Sequence, residues 1–106
     1  MNKFEIKHFT KGWFIGDFIP SLHNTNNFEI AFKTYKAGES ESAHFHKIST
    51  EYTLITSGNV TFNGVVFSKG DIVKVNPNEV IHFKSITDSE TVVIKIPSAK
   101  NDKYVV

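Results

Sequence analysis

Apolar and polar residues alternate in short runs along most of the chain, and the alternation has period 2 rather than 3.6. Residues 3–9 read as a first strand, and Thr10-Lys11-Gly12 as the turn that ends it. Residues 13–19 form an aromatic stretch stopped by Pro20, either a strand or an extended lid. Residues 28–35 alternate cleanly and lead into Gly38. Further strands are predicted over 43–46, 51–57, 60–62, 65–67, 72–75, 80–86 and 91–96. Asn63-Gly64 lies between two runs of β-formers, a strong hairpin signal. About nine or ten short strands with frequent turns and no helical period predict an all-β antiparallel fold, a sandwich or a barrel. The core is expected over about residues 28–97, with strands at 3–19 before it and a polar tail at 98–106.

Composition narrows this picture. With 106 residues the chain makes one domain, large enough to fold without staples. Ten of its aromatics are phenylalanine, a strand former. There is no cysteine, so disulfides, thiolate metal sites and a cysteine nucleophile are excluded. That fits a reducing compartment, and a cytoplasmic location is expected. Twelve basic and eleven acidic residues are well mixed, giving a net charge of +1 and no basic face for nucleic acid. The start of the chain has no apolar run suited to a signal peptide or a membrane span.

The chemistry concentrates in residues 38–58. Gly38, His44, His46, Glu51 and Gly58 follow one another with five, one, four and six residues between them. Histidines two apart on a strand share a face, with Cα atoms roughly 6–7 Å apart. They reach one ion only where the strand curves, as inside a small barrel. Residues 47–50 suit a turn that brings the Glu51 carboxylate back over the same point. Two imidazoles and a carboxylate suit one divalent transition metal: Fe, Mn, Ni, Co or Zn. If Glu51 points inward, Thr53 and Ile55 do too, and Tyr52 and Leu54 point away. His8 and His23 have no partner at ligand spacing.

The spacing resembles the first signature of the cupin superfamily, and all five signature positions match. The resemblance implies an antiparallel double-stranded β-helix, or jelly-roll barrel. The second cupin signature is met in part, through Gly70, Pro77 and His82. One extra residue separates Gly70 from Pro77, Glu79 stands in place of a glycine, and Ile86 in place of an asparagine. The resemblance implies that His82 is the fourth metal ligand beside His44, His46 and Glu51. If His82 faces inward, Lys84 shares its face, and an inward lysine calls for an anion or a mouth position. Phe45 and Phe83 would then point outward and need cover, which with the resemblance implies a homodimer. The pocket is expected to be lined by Phe32, Tyr35, Thr53, Ile55 and Phe62, with Lys84 at its mouth.

A four-ligand site leaves open positions on the ion, which distinguishes a reactive centre from a closed one. The leading expectation is a metal-dependent enzyme acting on a small oxygenated molecule, dioxygenase- or isomerase-like, with Glu51 able to serve as general base. The alternative is a non-catalytic cupin that binds a sugar or organic acid. A third reading gives the metal only a structural role.

Overall fold

The computed structural model describes residues 1–106. Its strands are β1 (Trp13–Ile15), β2 (Glu29–Tyr35), β3 (His44–Phe45), β4 (Thr50–Ser57), β5 (Asn59–Phe62), β6 (Val65–Ser68), β7 (Ile72–Val75), β8 (Phe83–Ser85), β9 (Ser89–Ile96) and β10 (Tyr104–Val105). Five of them make one antiparallel sheet in the order β1-β2-β9-β4-β7. A second sheet is β6-β5-β8; single bridges add Ser40 beside Lys84 of β8 and join Ile81 to His44 of β3, which pairs with β10. This is the expected all-β architecture, a rolled antiparallel barrel.

Local chemistry explains the turns that matter. The β5–β6 hairpin turns at Asn63 and Gly64, with φ of 52° and 80°, the left-handed pair that an Asn-Gly turn supplies. Gly58 separates β4 from β5 at φ 79°, and a Cβ there would collide with the Asp88 carbonyl.

Pleating sorts β4 as expected. Glu51, Thr53 and Ile55 are buried, while Leu54 is exposed and Tyr52 half-buried. Apolar packing fills part of the interior: Ile55, Val60, Phe62, Val75, Ile81 and Phe83 form one buried cluster. Phe83 lies at its centre, with ring centroids 4.5 Å from Tyr35 and 5.3 Å from Phe62. The interior also holds buried polar residues, among them His44, His46, Glu51, Thr53 and Thr91.

Two expectations change. Residues 3–9 do not form a strand: they are mostly exposed, and residues 6–8 form a 3-10 turn with no strand partner. Alternation alone does not make a strand where no neighbour completes the ladder. The polar tail packs, because β10 pairs with β3 in the register Tyr104–Phe45 and Val105–His44. Phe83 points inward rather than outward, 3 % exposed.

Candidate active-site cavity

His44 and His46 enter the barrel from β3 and the residue after it, 3 % and 2 % exposed. Their rings meet edge to face with centroids 5.3 Å apart. Each ring is pinned through Nδ1. That of His44 lies 2.7 Å from the Ser42 carbonyl, and that of His46 bonds the Asp102 carbonyl. Each Nδ1 therefore donates, which leaves Nε2 as a bare lone pair. Burial pushes both imidazoles below their ordinary value, so both are neutral at pH 7. His46 Nε2 is buried without a hydrogen-bond partner and lies 3.7 Å from Glu51 Oε1.

Glu51 is 7 % exposed, and burial pushes its carboxyl above the usual carboxylate range. It lines a cavity of about 240 Å³ together with His44, Thr53, Tyr35 and Phe62. The Tyr35 hydroxyl donates to Glu41 Oε1 at 3.4 Å. Burial and the Glu41 carboxylate push the phenol upward, so it stays a neutral donor.

His82 does not join this group. Its ring is exposed, while Ile81 and Phe83 on either side of it are buried. Register is the reason. Ile81 bridges His44 and Phe83 pairs with Phe62, so both share the inward face of their partners. The residue between them must point out. Lys84 is exposed and clear of the cavity.

The remaining pocket residues divide. Tyr35, Thr53 and Phe62 line the cavity, while Ile55 is fully buried in the apolar cluster. Phe32 faces the other side of β2, where it borders a shallow groove with Ile6 and Phe9. Phe32 and Tyr35 are an odd number of residues apart, so a pleated strand cannot turn both inward. Phe45 points away from the cavity as expected. Its cover comes from the chain itself, since Tyr104 stacks on it at 5.3 Å.

No three His, Asp or Glu side chains converge closely enough to hold a metal ion. The expected centre lacks its fourth ligand, because His82 is exposed on the outer side. Two pinned imidazoles and a buried carboxylate are what remain of it.

Sequence reasoning missed Lys33, Lys95 and Thr91, all of which line the cavity. Parity held the signal. Lys33 lies two residues from Tyr35, and cross-strand register aligns Lys33, Thr91 and Ile55 in one row and Glu29, Lys95 and Glu51 in another. The reasoning that an inward lysine calls for an anion applies to these two rather than to Lys84.

No protein-family model matches the sequence, and no curated protein matches it. Solved structures do. A Klebsiella pneumoniae protein with a double-stranded β-helix domain superposes with a TM-score of 0.69 at 19 % identity, over 77 % of this chain and 72 % of that one. An RmlC-like cupin from Desulfovibrio desulfuricans gives 0.61 at 22 %, over 72 % and 77 %. Streptomyces PAC13, in a structure with uridine, gives 0.67 at 21 %, over 77 % and 70 %. The chain has the cupin fold, a double-stranded β-helix.

Proposed function

We propose that this chain is a cupin enzyme that moves a proton on a small oxygenated molecule held in the barrel, an isomerase-type reaction. The observation that carries this reading is Glu51: a buried carboxyl, raised by its surroundings, on the wall of a cavity. As carboxylate it takes a proton from a carbon beside a carbonyl and, as acid, returns it to the neighbouring carbon. The Nε2 lone pair of His44 supplies an acceptor on the same wall, and the Tyr35 hydroxyl, which donates to Glu41, presents its oxygen as a further polar group there. Likeness to a protein whose structure holds uridine fits a small-molecule site.

A second reading rests on His46 Nε2, a buried lone pair without a partner. One divalent metal would draw His44, His46 and Glu51 together and supply Lewis-acid polarisation of a carbonyl. Dioxygenase-like chemistry belongs to that reading.

Deuterium exchange separates the two. Enolisable keto and hydroxy compounds are incubated in D2O with protein stripped by chelator, and label uptake is followed by NMR. Uptake that survives stripping and falls at least about 100-fold in Glu51→Gln supports the proton-transfer reading. Uptake restored only by an added metal supports the second, and no uptake in any state overturns both.

A further inference from the structure

Four lysines and two glutamates line the cavity, an excess of two positive charges in a chain whose whole net charge is +1. Lys33 and Lys95 are half-buried, and Lys11 and Lys103 are exposed at the rim. None of the four has a carboxylate within ion-pair distance. The Nζ atoms of Lys33 and Lys95 lie 5.1 and 5.0 Å from the centroid of one ring, that of Trp13. Two ammonium groups over a single indole repel each other, and the ring offsets that only in part.

Burial pushes Lys33 below its ordinary value. Glu41 opposes the shift, while Lys95, Lys103 and Lys11 reinforce it. Such a cluster is costly unless something negative completes it. A second observation stands apart from charge. Thr91, the cross-strand partner of Lys33, lines the same cavity 1 % exposed, and its Oγ1 has no hydrogen-bond partner. A buried hydroxyl without a partner beside unpaired ammonium groups is a half-made site.

We propose that the cavity binds a small organic anion, its carboxylate or phosphate seated between Lys33 and Lys95 beside Trp13 with Thr91 Oγ1 donating to it. This rests on the cavity being the working site, and it selects acids over neutral sugars. Lys95 lies beside Glu51 in the sheet register, so the seated anion puts the adjoining carbon atoms of the ligand toward the Glu51 carboxyl. Lys11 and Lys103 at the rim add attraction for the incoming anion.

The test is ligand-induced thermal stabilisation and calorimetry on the chelator-stripped protein. The probes are malonate, pyruvate, inorganic phosphate and glycerol 3-phosphate, with xylose and glycerol as neutral controls. Carboxylates or phosphates are expected to raise Tm, and the stronger of the two arms identifies the anionic group. Neutral probes are expected to give no shift. Lys33→Gln and Lys95→Gln should each weaken binding about tenfold or more. Lys33→Arg should recover part of it, and Lys69→Gln, on an exposed turn, should leave it unchanged. Circular dichroism confirms that each variant is folded. Equal affinity in the wild type and both glutamine variants would overturn the anion seat. Binding of the neutral probes alone would overturn it while leaving the cavity as the working site. Absence of binding by every probe would count against both.

Discussion

Asp102 holds the loop around His46 from two sides. Its backbone carbonyl accepts the His46 ring N–H, and its carboxylate accepts the backbone N–H groups of Lys47, Ile48 and Ser49 at 2.9 to 3.1 Å. The tail thus orients an imbedded imidazole and satisfies the turn that carries the chain from β3 to β4. Burial alone would raise the Asp102 carboxyl. The donors from Ser49, Lys47 and Ile48 outweigh it and hold the group below its ordinary value.

Asp102→Ala leaves three backbone N–H groups without their acceptor. Hydrogen bonds to a charged group contribute about 1.5–3 kcal/mol each when broken singly, and these three share one carboxylate. A loss of roughly 3 kcal/mol is expected in urea unfolding, with Asp102→Asn intermediate because its oxygen still accepts. A loss below about 0.5 kcal/mol would show that the tail does not secure this loop.

Stability should depend on pH through two opposing groups. His44 and His46 are lowered from 6.5 in the fold, so the unfolded chain binds more protons just below that pH. Their contribution is present at pH 7 and is lost as pH falls through about 6.5 toward the folded values. Glu51 is raised above 4.5, so between 4.5 and its folded value the fold binds the extra proton and stability declines as pH rises. Glu51→Gln removes the second effect. Its stability should therefore fall more steeply than that of the wild type between pH 7 and 5, as measured by denaturant midpoints. Parallel slopes would show that Glu51 carries no burial cost.

Strand parity at β8 is open to a paired substitution. Phe83→Ala empties the centre of the apolar cluster and should cost about 3–5 kcal/mol. His82→Ala, on the exposed side, should change stability by less than about 0.5 kcal/mol. It should also leave metal content unchanged after exposure to Zn(II) or Fe(II), by elemental analysis. A reversed ranking would mean that His82 faces the interior.

Much of the barrel is legible in the sequence because period 2 and turn chemistry are local. Glu51, Thr53 and Ile55 share a face by alternation, and Asn63-Gly64 marks its hairpin. What escapes is parity set from a distance. His82 has a ligand's spacing from Pro77, but its direction is decided by Ile81 bridging His44 and by Phe83 pairing with Phe62. Neither pairing is visible within residues 77–86. The loss of residues 3–9 as a strand has the same origin, since a ladder needs a neighbour that sequence does not name. The role of Asp102 joins positions more than fifty residues apart, beyond any motif.

The cavity draws its wall from the rolled sheets and its rim from elsewhere. Lys11 comes from the turn before β1 and Lys103 from the tail behind β9, while Trp13 belongs to the edge strand β1. Recognition is therefore separable from architecture at two exposed side chains: substitution of Lys11 and Lys103 would retune which molecule is admitted while the paired strands, Asp102 and Glu51 stay as they are. That makes Lys11 and Lys103 the natural positions to randomise in a selection for new ligands.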